Sequence, residues 1–140
     1  MAEPGAFLFR QAVEVRYRDL DAAGHVHHTL AAIYFEEARA AYWRAVAGRP
    51  SLEDVDYVLA ELTIRYHRRI RYPQTVEVRA RVTRLGTKSW TMAYELRSAA
   101  DELLAAGESV QVSYDYAAGT SVPIATDVRS RIAAYEGLPG

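Results

Sequence analysis

The chain contains no cysteine. That absence removes disulfide frameworks, thiol nucleophiles and cysteine-based zinc sites together. Long hydrophobic runs are missing as well: no stretch approaches the ~18 apolar residues of a membrane span. The N-terminal MAEPGAFLFRQAVEV has no basic region leading into an apolar one, as a secretory leader would. Neither export nor membrane insertion is expected, and the cytoplasm is the expected compartment. Charge of one sign is not in excess either. Seventeen Lys and Arg against 18 Asp and Glu leave a formal net charge of -1, so no overall basic field draws the chain to nucleic acid. Lysine is nearly absent; Lys88 is the only one.

What is present suffices for one core. A length of 140 residues with 50% hydrophobic and 25% charged residues fits a single globular domain over 1–140. Val13, Val15 and Tyr17 alternate with polar or small residues, the period of a half-buried strand over 12–17. From 28 to 47 the apolar positions Leu30, Ile33, Tyr34, Ala38, Ala41, Tyr42 and Val46 recur at helical spacing, and Gly48 and Pro50 stop that helix. Alternation then returns in four runs, at 58–66, 76–82, 90–96 and 110–116, joined by short loops. Short connections predict an antiparallel sheet, because parallel neighbours need long crossovers. The helix is apolar over most of its circumference, so a five-stranded sheet curling around it would bury it. The segment 123–135 reads as a short C-terminal helix with Asp127 and Arg131 at i,i+4.

The chemistry concentrates in residues 16–39, RYRDLDAAGHVHHTLAAIYFEEAR. Here a strand, an Asp-x-Asp-x-x-Gly-His-Val turn and an amphipathic helix follow without a break. Free amides at a helix N-terminus can hold a developing oxyanion or a polarised carbonyl. A carboxylate a few residues earlier can attack that carbonyl or activate water. The plainer alternative is an Asx-type turn in which an Asp bonds nearby amides. His25, His27 and His28 invite a metal reading, but their spacing matches no mechanistic metal motif, and no metal is expected. The alternative has His25 and His28 bonding backbone at the helix start with His27 facing solvent. Glu36 and Arg39 sit at i,i+3, the spacing of a helix-surface ion pair; Glu36 and the outward-alternating Glu61 are fallback carboxylates. Arg65, Arg69 and Arg71, and separately Arg79 and Arg81, are read as lying along strands, each set on one sheet face. Lys88 lies in Gly86-Thr87-Lys88-Ser89, where a tight turn can present amides, a hydroxyl and an ammonium to a phosphate.

The segment from Val15 to Arg39 resembles the opening of the 4-hydroxybenzoyl-CoA thioesterase-like family of hotdog-fold acyl-CoA thioesterases, the YbgC type included. Asp19 to Val26 fits that family's D-x-D-x-x-G-H-V signature. The stretch 60–89, AELTIRYHRRIRYPQTVEVRARVTRLGTKS, looks like its second and third strands and its Leu-Gly-x-x-Ser turn. The resemblance implies an α+β hotdog fold and an acyl-CoA thioesterase that uses no cofactor. Asp21 would be nucleophile or general base and the amide near His28 would polarise the carbonyl, with His25 or Glu36 orienting water or loop. Gly86, Lys88 and Ser89 would meet the nucleotide and pantetheine parts of CoA, across the interface of a homodimer or homotetramer. The chain departs from the family by having His27 and His28 where many relatives have two asparagines, and Ala31 where an aromatic is common, which would leave more room for the acyl group. Two alternatives stand beside this: hydrolysis of thioesters on acyl-carrier protein, and a non-catalytic acyl-CoA-binding protein.

Overall fold

A computed structural model describes residues 5–140, so the first four residues of the N-terminal segment lie outside the described part. The elements are β1 (Phe9–Glu14), α1 (Thr29–Ala45), β2 (Tyr57–Tyr66), β3 (Thr75–Leu85), β4 (Ser89–Arg97), β5 (Leu103–Asp115), β6 (Thr120–Ser121) and α2 (Thr126–Glu136), with 3-10 turns at Tyr17–Asp19 and Leu52–Asp54. The strands lie in the order β1-β3-β4-β5-β2, and the two-residue β6 pairs with β5. Every pairing is antiparallel. The sheet therefore has six strands where five were expected; the extra one only returns the chain toward α2.

β3 and β4 bury their apolar face by strict alternation, whereas in the second half of β5 the inward positions are Ser109, Gln111 and Ser113, and the apolar Val110 and Val112 lie on the other face. Val76, Val78, Ala80 and Val82 of β3 and Trp90, Met92, Tyr94 and Leu96 of β4 form one core with Phe35, Ala38 and Tyr42 of α1. Phe35 stacks on Tyr94 with centroids 4.8 Å apart, and Trp43 stacks on Trp90 at 4.8 Å. Each such side chain contributes about 1.5–3 kcal/mol by leaving water, which is why a helix of modest amphipathicity is held so firmly. Close approach of helix to sheet also explains Gly107: a Cβ there would stand 2.7 Å from both the Phe35 ring and the Thr63 carbonyl. α2 is anchored through Glu136, whose carboxylate accepts the Tyr42 hydroxyl at 2.8 Å and the Val82 amide at 2.7 Å.

Several expectations shift. The first strand runs over 9–14 rather than 12–17, because β1 pairs with β3 only from Phe9↔Ala80 to Glu14↔Thr75. Beyond that the Arg16 amide donates to the Asp19 carboxylate at 2.9 Å and starts the 3-10 turn, leaving Tyr17 76% exposed. β5 begins at Leu103, seven residues before the alternation at 110 announced it, since consecutive Leu104 and Ala105 are both buried and break the period of two. Asp127 pairs with Arg49 at 2.6 Å instead of with Arg131, while the Arg131 side chain lies over Gly48. β2 ends at Tyr66, so Arg69 and Arg71 lie in the following loop and share no strand face with Arg65.

Candidate active site

The two aspartates of the turn are set apart by their surroundings. Asp19 is 6% exposed; its Oδ2 accepts the Arg16 amide and, at 2.7 Å, the hydroxyl of Tyr34 from α1. Burial, followed by this bond to Asp19, pushes the Tyr34 phenol far above its ordinary range. Asp19 thus pins the turn to the helix. Asp21 is exposed, and its Oδ1 accepts the amides of Ala23 at 2.9 Å and His25 at 3.2 Å. Those two contacts make the Asx-type turn, and its backbone closes through Asp21 N–H to His25 O at 2.7 Å. The His25 amide is the main reason that the Asp21 carboxyl sits below the usual carboxylate range; desolvation opposes it, and the Ala23 amide adds to it. The carboxylate stays ionised, and both amides bond to Oδ1, so Oδ2 is left without a hydrogen-bond partner among the described residues.

The helix start is capped in an unexpected way. His27 Nδ1 accepts the Thr29 amide at 3.2 Å and lies 2.8 Å from the Thr29 hydroxyl, which is the work of an N-cap side chain. His27 is therefore not the solvent-facing member of the cluster. His25 Nε2 lies 3.0 Å from Arg69 Nη1; arginine can only donate, so Nε2 accepts and the imidazole proton sits on Nδ1. His28 occupies the cap position with helical dihedrals. Its carbonyl accepts the Tyr66 hydroxyl, while its amide has no acceptor among the described residues. That amide lies at the positive end of α1, where the amides of Thr29 and Leu30 are already taken by the Nδ1 and the carbonyl of His27.

Asp21, His25, His27 and His28 line one cleft of about 320 Å³ with Tyr66, His67, Arg68, Arg69 and Ile70. The opposing wall comes from the loop after β2, drawn in by a bond from the Val26 amide to the Ile70 carbonyl at 3.0 Å. Sequence reasoning missed Tyr66, His67 and Arg68, and placed Arg69 on a strand. Nothing in the local pattern marks their meeting with residues forty positions earlier. Glu36 is outside this cleft; its side chain is 71% exposed and 4.0 Å from Arg39. Ala31 is fully buried in α1. Gly86, Lys88 and Ser89 are at the other end of the sheet: Ser89 is level with Val112, whereas Tyr66 is level with Ala105 and Leu96. The nine residues of β4 between the two ends span roughly 26 Å at ~3.3 Å per residue. Lys88 Nζ lies 3.4 Å from Ser121 Oγ, and Arg129 holds the turn through the Gly86 carbonyl at 2.5 Å. Among the described residues no three His, Asp or Glu side chains converge in a metal-binding geometry. No helix there is long and apolar enough to cross a membrane.

One long helix held in a curled antiparallel sheet, with an ionised carboxylate turn at its N-terminus, is the hotdog architecture. The profile of the thioesterase superfamily matches residues 23–105, and the chain belongs to that superfamily. It is similar to a thioesterase from Thermus thermophilus whose crystal structure holds coenzyme A and Zn, with 34% identity over 93% of this chain and 95% of that one and a TM-score of 0.82. The PA2801 protein of Pseudomonas aeruginosa is 30% identical over 90% of this chain and 98% of its own, with a TM-score of 0.81. A 1,4-dihydroxy-2-naphthoyl-CoA thioesterase from Synechocystis, at 19% identity over 89% of this chain and 95% of its own, shares the fold with a TM-score of 0.79. No curated protein matches the sequence.

Proposed function

We propose that this protein is an acyl-CoA thioesterase that hydrolyses its substrate with Asp21 and the N-terminus of α1. The observation that carries this reading is the sharing of one cleft by the ionised Asp21 and the unbonded His28 amide, in a member of the thioesterase superfamily. The thioester carbonyl oxygen would accept the His28 N–H, where the helix dipole favours the negative charge that develops in the transition state. Asp21 would attack the carbonyl carbon, expelling the thiolate and forming an acyl-aspartyl anhydride that water then opens. Alternatively it would take a proton from the water that attacks. In both routes a C–O bond forms, the C–S bond breaks and the thiolate ends protonated as free CoA. A carboxylate below its usual range is a weak base, but it is fully ionised near neutrality. His25 would hold the turn through its amide.

The CoA part asks for a second copy of the chain. Lys88 and its turn are too far along the sheet from Asp21 to meet the same short arm comfortably, yet two sheets running in opposite directions would bring one chain's Lys88 to the other's cleft. β2 is an edge strand with Leu59 and Tyr66 exposed, the surface that an edge-to-edge homodimer would cover. A homotetramer would stack two such pairs. The decisive experiment is release of free thiol from a panel of short, long and aromatic acyl-CoAs by wild type and Asp21→Asn. Loss of about 10²-fold or more in kcat is expected for a missing base or nucleophile; turnover within a few-fold of wild type would remove Asp21 from the chemistry, and neither Glu36 nor Glu61 lines this cleft to replace it. Incorporation of ¹⁸O from labelled water into Asp21 in a single turnover separates the nucleophile from the base.

A further inference from the structure

The cleft around Asp21 is poorly suited to a hydrocarbon chain. Its only aliphatic side chains are Val26 and Ile70, while two arginines and all four histidines of the chain line it. The arginines differ. Arg68 is neutralised by Glu102 at 3.0 Å. Arg69 has no carboxylate beside it among the described residues, and its Nη1 reaches only the neutral Nε2 of His25 at 3.0 Å. An exposed guanidinium fork, shaped to take a carboxylate through two parallel bonds, is therefore left open in the same small cleft as Asp21.

His25 ties the two ends together. Its amide donates to Asp21 at 3.2 Å and its ring accepts from Arg69 at 3.0 Å, so one histidine bridges the carboxylate and the free guanidinium. Arg69 is not among the groups that shift the Asp21 carboxyl, so its guanidinium is free to meet a negative charge that the substrate brings. The phosphates of CoA cannot be that charge, because the pantetheine arm carries them well beyond a cleft of about 320 Å³. The anion must belong to the acyl half, a few carbons from the thioester.

We propose that Arg69 is a specificity-determining residue that binds a terminal carboxylate of the acyl group, so that the preferred substrates are thioesters of short dicarboxylic acids of the succinyl or glutaryl type. This rests on the thioesterase reading. It adds the class of acyl group that reading leaves open.

The test uses N-acetylcysteamine thioesters, which carry no phosphate. Glutaryl and valeryl thioesters have the same length and differ by a carboxylate in place of a methyl group. Wild type is expected to prefer glutaryl in kcat/KM by about tenfold or more, the scale of one charge-assisted bond pair. In Arg69→Met the glutaryl-to-valeryl ratio should fall by about the same factor, with Arg69→Lys between the two. A wild-type preference for valeryl overturns the proposal. So does an equal loss on both thioesters in Arg69→Met, which would make Arg69 a support for His25 and nothing more. Calorimetric binding of free glutarate against valerate gives a second readout without turnover. If no thioester is hydrolysed yet glutarate binding falls tenfold in Arg69→Met, the thioesterase reading fails while the anion site stands; if glutarate binding does not depend on Arg69, the anion site fails whatever the activity.

Discussion

Asp19 and Asp21 are two residues apart, and substitution should separate them cleanly. Asp19→Ala removes a buried carboxylate that accepts the Arg16 amide at 2.9 Å and the Tyr34 hydroxyl at 2.7 Å. Bonds to a charged acceptor contribute ~1.5–3 kcal/mol each, and a buried hydroxyl left without a partner costs ~1–3 kcal/mol. The Arg16 amide is partly open to water and recovers some of its loss, so the net cost is about 3 kcal/mol. With an unfolding entropy of ~2.1 cal/mol/K per residue, a chain of 140 residues should melt roughly 10 °C lower. Asp21→Ala should behave in the opposite way: its two amide partners face solvent, so the melting temperature should change far less while turnover collapses. Thermal and urea unfolding followed on the same preparations as thiol release read both effects. Tyr34→Phe closes a double-mutant cycle with Asp19→Ala, with an expected coupling of about 1–2 kcal/mol. A melting temperature of Asp19→Ala within about 2 °C of wild type, or an equal destabilisation by Asp21→Ala, would refute this division of labour.

Other perturbations follow from single contacts. Gly107→Ala places a Cβ 2.7 Å from the Thr63 carbonyl and the Phe35 ring, and because the carbonyl belongs to the paired strand β2 it cannot move aside; the cost should be about 2–3 kcal/mol, read as a lower urea midpoint. Glu136 has its pKa raised, by burial first and against the bonds from Val82 and Tyr42. Stability from that group is fully present below the ordinary value of 4.5 and is lost as pH rises through the higher folded value. Glu136→Gln should therefore gain on wild type as unfolding is measured from pH 4.5 upward, and an unchanged difference across that range would count against the buried-carboxylate account. Lys88→Ala should raise KM for acyl-CoA several-fold at low ionic strength with a smaller change in kcat, since contacts equal in ground and transition states act on KM. An equal loss on N-acetylcysteamine thioesters would remove Lys88 from nucleotide recognition.

How much of this was legible in the sequence depends on how far apart the interacting residues lie along the chain. The Asp21 turn and the start of α1 are contiguous, so their order already placed a carboxylate beside free amides, and strands β3 and β4 declared themselves by strict alternation. The division between Asp19 and Asp21 was hidden, because it turns on Tyr34, a residue whose helical spacing says only that it is buried. His27 was read as facing solvent for a related reason: imidazole, amide and carbonyl compete at a helix start, and the spacing of three histidines does not say that the ring of His27 is the one that meets Thr29. The first half of β5 was lost where Leu104 and Ala105 are buried in succession and Gly107 admits the Phe35 ring, both consequences of the helix pressing on the sheet. The wall of the cleft at residues 66–70 was least visible of all. Its position depends on the Val26 amide reaching the Ile70 carbonyl, a single backbone bond that carries no side-chain signature. Arg69, set on a strand face by its spacing from Arg65 and Arg71, is moved by that bond to within reach of His25. The part of the site that would carry out the chemistry is thus local, and the part that would choose the acyl group is assembled at long range. Substitutions in the loop 67–71 can therefore change which acyl group is accepted without disturbing the order of strand, turn and helix on which Asp21 depends.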